Sequence, residues 1–155
     1  MVKPGMQRVL AERIRKVHDF LQSESTLVLS VVDTDGSVHS APLFYLVAEN
    51  LDLLWLSSVD CKHSRCLVSE PRTSVAVFRS TFEWRKITGV QMEGQSAEVA
   101  GPERASLVQA YCARFELGMI PSLVVTGSTL YRFRPQWIRY IDNDKHFGYK
   151  FELSL

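Results

Sequence analysis

Apolar residues recur every third or fourth position across residues 6–23. Leu10, Ile14, Val17 and Leu21 fall on one stripe, which predicts an amphipathic helix entered at Pro4 and Gly5. The pattern then changes. Residues 26–33 are rich in β-branched side chains and read as a strand, with a turn at Thr34-Asp35-Gly36, where Gly36 is free to take positive φ. Residues 38–47 return as the second arm of a hairpin. Pro42 places that arm at a sheet edge or on a bulge, because proline has no N–H for the ladder.

A third strand is predicted over 51–56, a short helix over 62–69 ended by Pro71, and a fourth strand over 73–79. Residues 80–83 read as a loop. Residues 84–99 read as one long strand, kinked where Gly89 and Gly94 permit a bulge. Gly101-Pro102-Glu103 opens a helix to about Phe115, with Leu107, Val108, Tyr111 and Phe115 inward. A loop over 118–122 follows, then strands over 123–134 and 137–142 flanking Pro135, and a last short strand over 147–153. Many short strands and few helices predict a mainly β chain, an antiparallel, Greek-key-like barrel with flanking helices rather than a βαβ sheet. No repeat, low-complexity tract or linker divides it, so residues 1–155 are expected to form a single domain.

Composition narrows the function. Eighteen Lys and Arg against 17 Asp and Glu leave a net charge of +1, which argues against a nucleic-acid partner. No apolar run approaches the ~20 residues of a membrane helix, and the N-terminus lacks a signal-peptide core; a membrane partner is not expected, and the cytoplasm is the expected location. Three cysteines, Cys61, Cys66 and Cys112, form no CxxC pair or zinc-spaced cluster, so no metal is expected.

The stretch most suggestive of chemistry is residues 53–77, LLWLSSVDCKHSRCLVSEPRTSVAV. An apolar strand leads to the hydroxyls of Ser57 and Ser58, then to Lys62 and His63 at a helix start. Hydroxyls, a cation and the unpaired amides of a helix N-terminus suit a phosphoryl group. The same residues also fit a surface helix capped by Ser58 or Asp60, with Lys62 in solvent. Chemistry alone leaves both readings open.

That segment resembles the strand-loop-helix-strand signature of the pyridoxamine 5'-phosphate oxidase-like, FMN-binding split-barrel superfamily. Two more segments resemble it in order: HSAPLFYLV at residues 39–47 and ITGVQMEGQSAEV at 87–99. The tail, WIRYIDNDKHFGYK, resembles the ending of a poorly characterised bacterial branch. The resemblance implies a split-barrel homodimer holding one FMN per subunit at the subunit interface. Carried over, it puts Ser57, Ser58, Lys62 and His63 on the phosphate and ribityl chain. Ala41, Pro42, Leu43 and Phe44 present backbone groups to the ring, with Gln91 beside the ring edge.

The Arg-x-His cluster that grips substrate phosphate in true pyridoxamine phosphate oxidases has no counterpart here. Arg132 and Arg134 come nearest, on one strand face without a histidine. The implied function is therefore an FMN-binding flavoprotein, an oxidoreductase of unassigned substrate and unassigned catalytic residues. The alternative is a non-enzymatic module or sensor for flavin, haem or another planar cofactor on the same barrel.

Overall fold

The computed structural model describes residues 4–117 and 127–155. In chain order these are α1 (Pro4–Ser23), β1 (Thr26–Val32), β2 (Val38–Phe44), β3 (Leu46–Val47), β4 (Leu53–Ser57), α2 (Lys62–Ser69), β5 (Arg72–Phe78), β6 (Thr88–Glu98), α3 (Glu103–Arg114), β7 (Thr129–Asp142) and β8 (Lys150–Ser154). All the strand pairs are antiparallel, in the order β2-β1-β5-β6-β7-β4-β3, with β8 added to β7. The sheet is a half-barrel flanked by three helices, the mainly β split-barrel architecture expected.

Alternation builds the core. Leu27, Leu29 and Val31 of β1, Val75 and Val77 of β5, and Val90 and Met92 of β6 point inward and are buried. The stripe of α1 plugs this concave face, though only its C-terminal half does so. Val17, Phe20 and Leu21 are buried, whereas Leu10 is 45% exposed. The Tyr45 hydroxyl donates to the Leu21 carbonyl at 2.6 Å and ties the helix to the end of β2. Residues 53–56 of β4 are an unbroken apolar run because both faces of the strand are covered. Leu53 and Trp55 enter the barrel core, while Leu54 packs outside with Val99, Val108 and Leu130 beneath α3.

Pro42 lies on β2, an end strand of the sheet path, as its missing N–H requires. The expected long strand over 84–99 is shorter. Trp84–Lys86 form a 3-10 turn with no buried residue, and β6 begins at Thr88. The two strands expected around Pro135 are one strand, β7, with a register shift opposite Glu93 and Gly94. The expected loop over 118–122 and the start of the expected strand at 123 lie outside the described residues.

Candidate functional site

β4 delivers the chain to Ser57, and two local bonds turn it into α2. The Ser58 hydroxyl accepts the Asp60 N–H at 3.2 Å, and the Ser58 carbonyl accepts the Cys61 N–H at 3.2 Å. Cys61 is the N-cap in extended conformation, and no side chain caps the helix. Ser58 therefore shapes the loop without closing the helix end. The first amides of α2 have no intrahelical partner, and the helix dipole leaves that end electropositive.

The four phosphate-site residues expected from the sequence divide into two pairs. Ser57 and His63 turn into the protein. The Ser57 hydroxyl and His63 Nε2 lie 2.7 Å apart, and both residues are buried. Burial, and then the neighbouring His39, lower the His63 pKa, which disfavours the protonated imidazole. Ser58 and Lys62 stay at the surface. The Lys62 Nζ sits 3.3 Å from Asp33 Oδ2, with the lysine side chain 47% exposed. Sequence reasoning missed Asp33, which lies in the β1–β2 turn and meets α2 only through the fold. Hydrogen bonding from the Thr34 backbone, and then from Lys62, lowers the Asp33 carboxyl pKa.

The β2 residues also alternate. Ala41 is buried and Leu43 half-buried, while Pro42 and Phe44 are exposed on the opposite face. From His39, near α2, to Leu43 the strand covers roughly 13 Å. Gln91 does not sit at α2. It lies on the outward face of β6, in a cross-strand row set by register: Pro42 opposite Val28, Val28 opposite Ala76, Ala76 opposite Gln91, and Gln91 opposite Arg139. Three strand spacings put Gln91 about 14 Å from Pro42 across the sheet. The next row is Ser40, Ser30, Ser74, Glu93 and Trp137.

These two rows make a trough that no motif announced. Small side chains, Ser30, Ser40, Ser74 and Ala76, form its floor, and the Ser30 and Ser40 hydroxyls bond each other at 2.9 Å. Gln91, Glu93, Trp137 and Arg139 stand at one side, around a cavity of about 510 Å³. Small side chains on an outward sheet face give a planar molecule or a second sheet close approach.

Arg132 and Arg134 share one face, as alternation predicts, but face carboxylates. Arg132 Nε lies 3.4 Å from Asp52 Oδ2 and its Nη1 3.1 Å from Glu103 Oε1, and Arg134 Nε lies 4.0 Å from the same Asp52 oxygen. His146 and Phe147, in the tail loop, are exposed. Asn143 ties that loop to the Trp84 segment through its side-chain amide and the Trp84 carbonyl, at 2.9 Å.

Comparison with known proteins agrees with the fold. The family model for pyridoxamine 5'-phosphate oxidase matches residues 14–142, which span the whole barrel as far as the end of β7. The chain belongs to that family. Solved structures share its fold at low identity. A haem-binding protein from Mycobacterium smegmatis superposes with a TM-score of 0.74 at 18% identity, over 99% of this chain and 60% of its own. HutZ, the haem storage protein from Vibrio cholerae, gives 0.67 at 18% identity, over 78% of this chain and 88% of its own. General Stress Protein 26 from Bacillus anthracis gives 0.68 at 18% identity, over 92% of this chain and 98% of its own. No curated protein sequence matches the chain. No helix among the described residues is long and apolar enough to cross a membrane.

Proposed function

We propose that this family member is an FMN-binding flavoprotein, an oxidoreductase that works as a homodimer with the cofactor at the subunit interface. The observation that carries the reading is the uncapped N-terminus of α2, with Ser58 and Lys62 beside it. Those donors fit a terminal phosphoryl group, which takes several charge-assisted hydrogen bonds at once. Ser58, Lys62 and the first amides of α2 hold the phosphoryl end. The open edge of β2 over residues 41–44 meets the polar edge of the ring: Pro42 offers its carbonyl and Phe44 its N–H and carbonyl there, while Ala41 and Leu43 bond to β1. Gln91 shares the outward face of Pro42 but lies three strands away, too far to meet the same ring edge.

Ser57 and His63 act from behind. Their buried hydrogen bond anchors the first turn of α2, so the amides present a fixed array. The small-residue trough supports the dimer, because it lets a second sheet pack closely and exclude water from a planar ligand. Bound FMN supplies the redox chemistry, and the protein supplies orientation and a dry slot.

A second reading, a haem-binding module, has one specific support: two of the proteins sharing the fold are named for haem. Titration of the purified protein with FMN, riboflavin and haem separates the two. The flavin reading expects quenched FMN fluorescence at micromolar concentration and riboflavin bound at least about tenfold more weakly, since it lacks charged hydrogen bonds worth ~1.5–3 kcal/mol. Equal affinity for FMN and riboflavin removes the phosphoryl role of α2. A Soret band formed with haem, and no response to FMN, replaces this reading with the second.

A further inference from the structure

The β1–β2 turn holds a carboxylate against the cation of the phosphoryl site. Asp33 is fixed there by its own backbone. Its N–H donates to the Ser37 carbonyl at 2.8 Å, and its carbonyl accepts the Gly36 N–H at 2.9 Å. Gly36 takes φ of 83°, the left-handed conformation that this tight turn needs. The Thr34 N–H occupies Asp33 Oδ1 at 2.8 Å. That leaves Oδ2 for Lys62, 3.3 Å away. Asp35, held in the same turn by the Ser37 N–H at 2.8 Å, adds a second carboxylate within the field of Lys62.

An anion arriving at α2 must therefore take Lys62 from a carboxylate that is already in place. A tethered group competes at high effective concentration. A ligand ending in a carboxylate offers Lys62 only what Asp33 already gives it. A phosphoryl dianion brings more charge and three acceptor oxygens, and can engage the lysine and the helix amides together. We propose that Asp33 is a specificity-determining residue: it is the built-in counter-anion of Lys62, and it sets the threshold that admits phosphoryl-ended ligands and rejects carboxylate-ended ones. This inference rests on the phosphoryl site proposed above.

The test uses the full chain and FMN fluorescence quenching, for the wild type, Asp33→Asn, Lys62→Met and the double variant. Asparagine keeps the Oδ1 that Thr34 needs and removes the charge. Thermal melts check that each variant is folded. Asp33→Asn is expected to tighten FMN about two- to fivefold, the range of an exposed ion pair released for use elsewhere. The gain disappears in the Lys62→Met background, and riboflavin affinity does not change. Succinate leaves FMN binding by the wild type untouched and competes in Asp33→Asn. The inference is overturned, with the phosphoryl site left standing, if Lys62→Met weakens FMN but Asp33→Asn does not tighten it. A gain that survives in the double variant, or that extends to riboflavin, also overturns it. No FMN binding by any of the four proteins removes the phosphoryl site and this inference together.

Discussion

Replacing Gly94 with alanine is expected to cost about 3 kcal/mol or more, because the added carbon meets backbone rather than a yielding side chain. A Cβ built there lies 2.0 Å from the Arg134 carbonyl oxygen and 3.0 Å from the Phe133 ring. The contact arises where β6 crosses an irregularity in β7. Glu93 pairs with Trp137 but Gly94 pairs with Pro135, so Gln136 is an extra residue. This bulge changes which side chains face out. Tyr131, Phe133 and Pro135 are buried before it, whereas Ile138 and Tyr140 are buried after it. Trp137 and Arg139 reach the outward trough because of that single inserted residue. Urea denaturation of Gly94→Ala should show a large fall in midpoint or no folded protein. A midpoint close to wild type would mean that the close approach of the two strands is not as described.

Arg132→Leu is the second large effect, expected to cost about 3 kcal/mol, as breaking a buried ion pair leaves a charge without its partner. Asp52 is 6% exposed and loses its nearer arginine. Arg134, 4.0 Å away, is a weaker substitute, which keeps the cost at the lower end of the range. The double variant Asp52→Leu/Arg132→Leu should recover much of the loss, since no buried charge is then stranded. The same denaturation series measures both. A loss below about 1 kcal/mol for Arg132→Leu, or a double variant worse than the single, would show that these two residues are not coupled in this way.

Local chemistry made much of the fold legible. The bounds of α2, Lys62–Ser69, follow from a loop of hydroxyls on one side and Pro71 on the other. Of the edge position or bulge that Pro42 allows, the end strand is what forms, and of Gly89 and Gly94 it is Gly94 that lies at the register shift. The strand expected from Trp84 starts only at Thr88, because a Lys86 N–H to Glu83 carbonyl bond of 2.8 Å closes residues 84–86 into a turn with every side chain outside the core. Pro135 looked like a boundary between strands. A proline next to a bulge interrupts the ladder without ending the strand.

The site was less legible than the fold because its partners come from distant parts of the chain. Hydroxyl and cation spacing placed Ser57, Ser58, Lys62 and His63 together, and they do surround the start of α2. Spacing does not say which way each side chain turns. That Ser57 and His63 pair inward, and that Lys62 meets Asp33, follows from β1 pairing with both β2 and β5, which carries the β1–β2 turn to the helix. The trough depends even more on register, because Ser30, Ser40 and Ser74 form a row only after three strands are aligned.

The most direct test of the central claim is to denature the protein as isolated and identify the released chromophore by absorbance and mass. FMN, in a ratio approaching one per chain, is the predicted result. Haem released in its place, or a colourless preparation that also fails to take up added FMN, would contradict the account.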